Sequence, residues 1–431
     1  MARDPYLVAI DFGSNSVKLA VAKDSLNEQD KIQILALVER TSSGIRKGIV
    51  TNMSEATEAL IDVVNQAESI IGLPIRKAVV GISGLGITFT NSEGLIVISR
   101  SDNEILEGDV DRVIQDSLTK AFGLANSEII HVIPKNFVID NQHGIRYPVG
   151  MIGSKLEAKT LVVSVESSYL RNFTKVFNQA SIEIVNQFFT PLASSDFLFS
   201  LRQKKAGTIL VDIGYSTTSY IIWENEEIFH SDVIPIGADH ITSDLAVGLQ
   251  TTIEMAEEIK KQHLDLSNDP EEALEEVEIF NPDLQLNETF RLSEIRTIAK
   301  ARVEEIFFYL NKELRRLNKN AQLPGGVILI GGGANLKGID DIAKKALHLP
   351  IFKYAFDRGQ VEFVPDYNDD PTFINAIALA SYSLYHAEDV GVGGGSGGNF
   401  TPRGGNNQGG EGGGNPVSGI MGKLGKLLPW S

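Results

Sequence analysis

The chain has 431 residues, of which 42% are hydrophobic and 22% charged, proportions typical of globular protein. Asp and Glu outnumber Lys and Arg by 56 to 39, and the net charge of -17 would repel nucleic-acid phosphates. Without Cys there is no disulfide framework, thiolate nucleophile or Cys-type zinc site. No apolar run approaches the roughly 20 residues that span a bilayer. Charges near Met1 also leave no room for a secretory segment, so we expect a cytosolic protein. The negative net charge argues against nucleic-acid partners.

Short apolar runs bounded by Gly or polar residues predict a set of buried strands. These runs cover residues 7–10, 77–81, 160–163, 208–211 and 326–330. Helical patterns lie between the predicted strands. They run from an N-cap at Ser54 to about Ile71, and over about 109–122, 168–179, 252–263 and 293–317. The alternation indicates an α/β protein with more than one sheet-centred lobe.

One pattern occurs twice: a strand, Asp-x-Gly, a small polar turn and a second apolar strand. The first copy begins at Asp11 and leads into a strand over 19–22, and the second begins at Asp212 and leads into 220–223. Small turn residues let backbone N–H groups approach phosphate oxygens, and an Asp at each strand end suits solvated Mg²⁺. Lys18 would add a point charge on a phosphate. Either copy alone also fits a simple Asp-containing hairpin turn, but the pair favours two related lobes facing one site.

A third motif of small residues, Gly-Gly-Gly at 331–333, follows the predicted strand at 326–330. Residues without side chains let a flat ring or a sugar lie against the backbone, and a helix beginning there would favour phosphate. Such turns are individually common, but the order Asp-x-Gly, Asp-x-Gly, strand-Gly-Gly-Gly is specific. In this order the chain resembles the actin and sugar-kinase ATPase superfamily, in which the three motifs contact the phosphates and the adenosine.

Three short strings narrow the resemblance. Residues 44–48 (GIRKG), 80–84 (VGISG) and 192–195 (LASS) look like those of FtsA, the bacterial cell-division actin homologue. As in that family, no large insertion interrupts the stretch near residue 45, and the extra material lies instead between Gly81 and about Val165. The chain departs from the family at 85–86, where Leu-Gly replaces a frequent Ser-His.

The resemblance implies a two-lobed, actin-like α/β ATPase fold with an inserted small α/β subdomain in the first lobe. The implied boundaries are 1–83 and 165–196 for the first lobe, 84–164 for the inserted polymerisation subdomain, 197–245 and 323–388 for the second lobe, 246–322 for a small subdomain over the nucleotide, 389–416 for a flexible linker and 417–431 for an amphipathic helix.

The resemblance also implies ATP and Mg²⁺ in a cleft between the lobes, with Asp11 and Asp212 at the metal. The implied phosphate and adenosine contacts are Gly13, Ser14, Asn15, Gly214, Ser216, Thr217, Gly237, Gly331, Gly332 and Gly333. Candidates for the nucleoside edge are Glu257, Lys260 and Lys261, although charged residues on a helix are more often solvated. Gln187 aligns with the water-positioning glutamine of actin, or is a glutamine on a helix surface. With the two Asp residues it would support a weak ATPase in which ATP is mainly a switch ligand.

The composition changes abruptly near residue 390. Over 391–416, 13 of 26 residues are Gly, and such a segment cannot bury enough apolar surface to offset its ordering entropy. We expect a flexible tether with a reach of roughly 25 to 30 Å. The three Gly residues in the segment that follows it, 417–431, each disfavour a helix by about 1 kcal/mol, so this helix needs a surface on which to fold.

Apolar residues of that last segment recur at helical spacing, with Lys423 and Lys426 off the apolar stripe. The candidate membrane contacts are Ile420, Met421, Leu424, Leu427, Leu428 and Trp430. A cationic, amphipathic, Trp-ended helix on an acidic protein is typical of an interfacial anchor, and it matches the C-terminal membrane-targeting helix of the FtsA family. Docking into a protein groove is the alternative, and the long tether weighs against it.

The leading hypothesis is an ATP-binding scaffold that polymerises, tethers FtsZ filaments through the FtsZ C-terminal tail and recruits other division proteins. It would be peripheral, on the cytoplasmic face of the membrane at the division site. One alternative is a platform protein of type IV pili similar to PilM. A sugar-kinase-type phosphotransferase is a further alternative, for which Asp196 or Asp239 would have to serve as the catalytic base.

Overall fold

The computed structural model describes residues 6–24, 31–121, 126–267, 275–281, 285–352, 354, 361–364, 367 and 370–385. They divide into two compact units, one formed by the chain up to Ile87 together with Ser168–Tyr385, and one formed by residues 88–167. The expected linker at 389–416 and the expected membrane helix at 417–431 lie outside the described residues.

The larger unit is built on two mixed sheets. The first sheet has the spatial order β11 (Glu183–Phe189), β6 (Lys77–Ile82), β1 (Leu7–Phe12), β2 (Ser16–Asp24), β3 (Ile32–Thr41) and β19 (Val361–Phe363). The second sheet has the order β14 (Glu227–Ile234), β13 (Thr218–Glu224), β12 (Thr208–Ile213), β17 (Val327–Ile330) and β18 (Ile351–Phe352). There are also two antiparallel hairpins. One consists of β4 (Ile45–Arg46) and β5 (Ile49–Val50), and the other of β15 (Glu276–Asn281) and β16 (Leu286–Arg291).

The helices of this unit cover the sheets. They are α1 (Met53–Ile71), α3 (Ser167–Gln179), α4 (Thr190–Leu198), α5 (Leu201–Ala206), α6 (Ala238–Gly248), α7 (Ile253–Gln262), α8 (Leu292–Arg316), α9 (Ile339–Leu347) and α10 (Ile374–Tyr385). The predicted helices that fall here begin and end within two residues of the observed ones. The predicted N-cap at Ser54 is wrong: Asn52 caps α1, because its side chain accepts hydrogen bonds from the backbone N–H groups of Ser54 and Glu55. Among the described residues, no helix is both long and apolar enough to cross a membrane.

The repeated sequence pattern folds into the same local topology twice. β1 pairs antiparallel with β2 and parallel with β6, and β12 pairs antiparallel with β13 and parallel with β17. In this register Asp11 lies opposite Gly81 of β6, and Asp212 lies opposite Ile330 of β17. Because the carboxyl ends of parallel strands share one edge of a sheet, each Asp is placed at an edge beside a Gly-containing turn.

α10 is buried along nearly its whole length. Residues 374–380 are almost inaccessible to solvent, and the helix packs against α4 and against β1, β2 and β6. An apolar helix without a polar face is typical of a position inside the core. Its N-terminal end therefore lies deep in the larger unit, at the same level as the ends of the strands.

The described residues of the smaller unit form a four-stranded sheet and one helix. The strand order is β7 (Ile87–Val97), β10 (Lys155–Glu166), β8 (Ser127–Ile139) and β9 (Gln142–Ile145), and α2 (Glu107–Lys120) packs against β10. Its core includes Val113, Ile114, Phe137 and Leu156. The predicted strand at 160–163 is the middle of the longer β10, and the predicted helix at 109–122 is α2, shifted by two residues.

Gly94 permits the close approach of β7 and α2 in the smaller unit. A Cβ at Gly94 would overlap the carbonyl oxygen of Val113, whereas a Cβ at Gly108 would meet nothing within 4 Å. We expect Gly94→Ala to destabilise this unit by about 2 to 4 kcal/mol, because the strand and helix backbones would have to separate. Gly108→Ala, on an exposed part of α2, should be neutral or stabilising. Calorimetry and limited proteolysis measure both changes, and equal stability of the two variants would contradict the prediction.

Candidate functional site

A cavity of about 580 Å³ lies in the larger unit where the ends of β1, β12 and β17 meet. It brings together most of the residues that the sequence nominated for a nucleotide. The nominated residues that line it are Asp11, Gly13, Ser14, Asn15, Lys18, Asp212, Gly214, Ser216, Thr217, Glu257, Lys260, Lys261, Gly331, Gly332 and Gly333. Gln187 and Gly237 are not among the lining residues.

Two carboxylates line this cavity at the ends of β1 and β12: Asp11, which is buried, and Asp212, which is partly buried. Burial raises the pKa of Asp11, while Lys18 and the amide of Asn375 act in the opposite direction. Burial also raises the pKa of Asp212 to about 6; the Asn375 hydrogen bond lowers it, and the charge of Asp11 adds to the increase. The described residues contain no group of three or more His, Cys, Asp or Glu side chains placed to hold a metal. A pair of carboxylates, with no third such group beside it among the described residues, suits a divalent cation that keeps most of its water.

The first turn, between β1 and β2, is closed by a hydrogen bond from the Gly13 N–H to the Ser16 carbonyl, 3.0 Å long. Lys18 returns along β2 and donates from Nζ to Ser16 Oγ at 2.7 Å. The same ammonium group lies 3.2 Å from a carboxylate oxygen of Glu39. The turn therefore presents backbone N–H groups with a cation held beside them.

The second turn, between β12 and β13, repeats this geometry with a 2.9 Å hydrogen bond from the Gly214 N–H to the Thr217 carbonyl. Within the described structure, the buried hydroxyl of Ser216 makes no hydrogen bond. A buried hydroxyl without a partner is costly, and a phosphate oxygen in the cavity would satisfy it. This orphaned hydroxyl fits the expectation of a phosphate ligand.

Gly237 supports the second turn from behind instead of lining the cavity. A Cβ there would lie 2.5 Å from the Tyr215 carbonyl oxygen and 2.6 Å from the Thr217 nitrogen. Thr218 adds a 2.8 Å hydrogen bond from its hydroxyl to the carbonyl of Ile236. Because only Gly allows the backbone to approach so closely, the residue fixes the shape of the turn.

The three consecutive glycines after β17 differ in their surroundings. Gly331 has a φ of +82°, and a Cβ there would overlap Oδ1 of Asp212; a Cβ at Gly333 would overlap the side chain of Ile213. Gly332 has no positive φ and only a methyl of Thr372 4.0 Å from an added Cβ. The chain continues in a short 3-10 turn, Gly332–Asn335. Gly331 and Gly333 thus allow close packing on the end of β12, while Gly332 faces open space.

Two charged residues of α7, Glu257 and Lys260, are partly or fully buried in a network of hydrogen bonds. Lys260 is 7% exposed and donates to Glu257 Oε2 at 2.5 Å, to Thr242 Oγ1 at 2.8 Å and to the Ala238 carbonyl at 3.2 Å. Two of these hydrogen bonds link α7 to α6, and the third is made to Glu257 within α7. The expectation of simple solvation is wrong for Lys260, because the α6 carbonyl and hydroxyl replace its water. Lys261 remains exposed and lies 3.2 Å from Glu257.

Gln187 stands on β11, opposite Val80 of β6, and not on a helix. The helix-surface alternative is therefore wrong: the pattern of the segment was ambiguous, and pairing with β6 makes it a strand. The residue is half-buried and does not line the cavity. Its role in positioning water stays a prediction.

Sequence reasoning missed Asn375, which lines the cavity from the first turn of α10. Its Nδ2 donates to Asp212 Oδ2 at 2.8 Å, and its Oδ1 accepts a hydrogen bond from the Ser194 hydroxyl at 2.7 Å. The available signal was a single amide within the otherwise apolar run 373–380, since a buried polar side chain needs partners.

The two carboxylates considered for a sugar kinase do not line the cavity. Asp196 is paired with Lys204 at 2.5 Å, and Asp239 lies 2.5 Å from Nδ1 of His240. Neither lines the space where the two Asp-x-Gly turns meet. The geometry gives no support to a substrate base at these positions.

Comparison with solved structures defines the class of fold. A chain of the PilM-PilN type IV pilus biogenesis complex superposes with a TM-score of 0.63 at 13% identity, covering 87% of this chain and 97% of that one. MreB5 of Spiroplasma citri, solved bound to ADP, superposes with a TM-score of 0.52 at 12% identity, covering 89% and 97%. The expected actin-like ATPase fold is therefore confirmed.

Sequence comparison defines the family. The family profile described as "Cell division protein FtsA" matches residues 209–378, and "SHS2 domain inserted in FTSA" matches 84–164. The cell division protein FtsA of Bacillus subtilis is 31% identical over 392 residues, covering 90% of this chain and 85% of the relative. The cell division protein FtsA of Pseudomonas aeruginosa is 28% identical, covering 89% of this chain and 90% of that relative. The chain belongs to the FtsA family of cell-division proteins.

Proposed function

We propose that this protein is an ATP-binding adaptor that polymerises and ties FtsZ filaments to the cytoplasmic membrane. The observation that carries the nucleotide part is the convergence of both Asp-x-Gly turns and the three glycines on one cavity. Membership of a cell-division family supports the cellular role. The MreB5 structure shows that a related fold holds ADP in that protein.

In this proposal the two turns bind the phosphates through the backbone and through the Ser216 hydroxyl. Asp11 and Asp212 orient a hydrated Mg²⁺, which would neutralise phosphate charge. Lys18 supplies a fixed positive charge beside the first turn, and Gly331–Gly333 provide a flat backbone surface for the adenosine. Every one of these residues lines the same cavity. Because the turns belong to different sheets, a bound triphosphate would hold the two lobes together.

Hydrolysis, in this proposal, is weak, and ATP acts mainly as a ligand that selects the closed, polymer-competent state. Among the described residues that line the cavity, the only Gln is Gln262 on α7. Gln187 does not line the cavity, so it would reach a water molecule beside the bound phosphates only after a movement of β11 or of the lobes. A nucleotide that stabilises one conformation without rapid turnover is consistent with a scaffold.

The membrane part of the proposal rests on the sequence beyond the described residues. Over 391–431, Arg403, Lys423 and Lys426 outnumber Glu411, while the rest of the chain is strongly acidic. Anionic lipid attracts the positively charged segment 391–431 and repels the acidic remainder of the chain. A single short helix with two Lys residues binds weakly, so polymerisation would strengthen attachment by avidity.

The membrane anchor can be tested with two substitutions that change charge equally. Leu424→Glu places a carboxylate on the apolar stripe, and Ser418→Glu places one off it. In flotation with vesicles that contain anionic lipid, we expect Leu424→Glu to lose at least ten-fold of the bound protein and Ser418→Glu to lose less than two-fold. Equal flotation of the wild type and a variant that lacks 417–431 would contradict the anchor.

Polymerisation and partner binding need separate measurements. We expect sedimentation and electron microscopy to show filaments with Mg²⁺-ATP and few or none without nucleotide. A labelled FtsZ C-terminal peptide should bind in fluorescence anisotropy, and we propose the small subdomain at 246–322 as its site. Assembly that ignores nucleotide would contradict the switch, and no peptide binding would contradict the adaptor role.

A further inference from the structure

Asn375 occupies a position that joins three elements of the larger unit. It lies in the first turn of α10, is 9% exposed, and lines the cavity that holds both Asp-x-Gly turns. Its neighbours in sequence are apolar and almost fully buried. A buried amide in apolar surroundings needs hydrogen-bond partners, so the partners of Asn375 indicate its role.

The amide has a defined orientation. Ser194, which is fully buried on α4, donates its hydroxyl to Asn375 Oδ1 at 2.7 Å. Since the amide oxygen is occupied, the amide nitrogen faces Asp212 and donates to Oδ2 at 2.8 Å. The chain of hydrogen bonds therefore runs from α4 through α10 to the carboxylate at the end of β12.

We propose that Asn375 is a positioning residue that holds the Asp212 carboxylate in the rotamer that receives a divalent cation. This inference rests on the proposed nucleotide function. One oxygen of Asp212 is fixed by the amide, which leaves the other oxygen, Oδ1, for the hydrated cation. Oδ1 is also the atom that an added Cβ at Gly331 would overlap, so it lies against the glycine turn. Ser194 acts one step further away by orienting the amide.

Loss of the amide would free Asp212 to rotate and would leave a buried carboxylate oxygen without its donor. We expect this change to weaken metal binding, because a cation bound through water needs acceptors at fixed positions. Direct contacts between the phosphate turns and a nucleotide do not depend on Asn375. The inference therefore predicts a loss of magnesium-dependent affinity with little loss of magnesium-free affinity.

The test measures the affinity of the full-length protein for ATP by calorimetry with Mg²⁺ and with EDTA. The quantity compared is the ratio of the two dissociation constants for each variant. We expect Asn375→Ala to reduce the magnesium enhancement at least ten-fold, and Ser194→Ala to reduce it two- to five-fold. The double variant should be no worse than Asn375→Ala, since both changes break one chain of hydrogen bonds.

Asn335→Ala is the matched control, because Asn335 is also a cavity-lining amide but donates to Asp370, at 3.2 Å. Its ratio should equal that of the wild type whatever its absolute affinity. If Asn375→Ala keeps the full magnesium enhancement, or loses affinity equally with Mg²⁺ and EDTA, the positioning role is wrong although the proposed nucleotide function stands. If the wild type binds no ATP in either condition, the proposed function itself fails.

Discussion

Replacing Asp212 by Asn should stabilise the metal-free protein and abolish magnesium-dependent nucleotide binding. Burial raises the pKa of Asp212 to about 6, and the charge of Asp11 adds to the increase. At neutral pH the folded protein therefore holds a partly buried, poorly solvated charge that the unfolded chain would hold in water. Asn keeps the size of the side chain and removes that charge, so the free energy of unfolding should rise by about 2 to 3 kcal/mol at pH 7.5.

The same substitution has a pH signature with a defined sign. Between about pH 4 and pH 6 the folded protein binds a proton at Asp212 that the unfolded chain has already released, so this group makes the wild type less stable as pH rises. The stabilisation by Asp212→Asn should thus be complete above pH 6 and vanish near pH 4. Magnesium-dependent affinity of the wild type should fall below pH 6, as protons compete for the carboxylate.

Chemical denaturation across this pH range measures the effect, with calorimetry for the nucleotide. Asp62→Asn is the control, because Asp62 is exposed on α1 and the same chemical change there should alter stability by less than about 0.5 kcal/mol. A loss of stability for Asp212→Asn at pH 7.5, or a gain that does not depend on pH, would contradict the electrostatic explanation.

The second large effect is expected for Gly331→Ala, which should lower stability by about 2 to 4 kcal/mol and weaken ATP binding at least a hundred-fold. Two causes add: the residue has a φ of +82°, and a Cβ would overlap Oδ1 of Asp212 and lie 2.7 Å from the Ile213 carbonyl oxygen. The methyl group would therefore displace the carboxylate that we propose for the metal.

Gly332→Ala is the matched control for this prediction. It adds the same methyl group to the next residue, where the nearest atom is 4.0 Å away and φ is not positive. We expect its thermal unfolding temperature to stay within about 2 °C of the wild type, and ATP binding to weaken several-fold at most. Similar losses of stability in both variants would contradict the prediction, because they would show that an added methyl group is equally harmful at Gly331 and at Gly332.

The sequence by itself predicted the features that depend on local order. Apolar runs located β1, β6, β12 and β17, and each Asp-x-Gly turn was placed between the correct pair of antiparallel strands. Such elements can be predicted because a buried strand must be apolar over a few consecutive residues and a tight turn must contain small ones. The order of the three motifs then indicated the actin-like fold class, and three short strings with the position of the inserted material indicated the family. The comparisons confirmed both.

What the tertiary structure decided was which side chains lie in the cavity and what they contact. Lys260 is buried because α6 supplies two of its acceptors, and Gln187 lies on a strand because β6 pairs with its segment. Asn375 reaches Asp212 because α10 begins inside the core. Each of these contacts joins residues far apart in the sequence. Local composition does not encode such contacts, since burial and hydrogen bonding depend on what the rest of the fold brings to the same place.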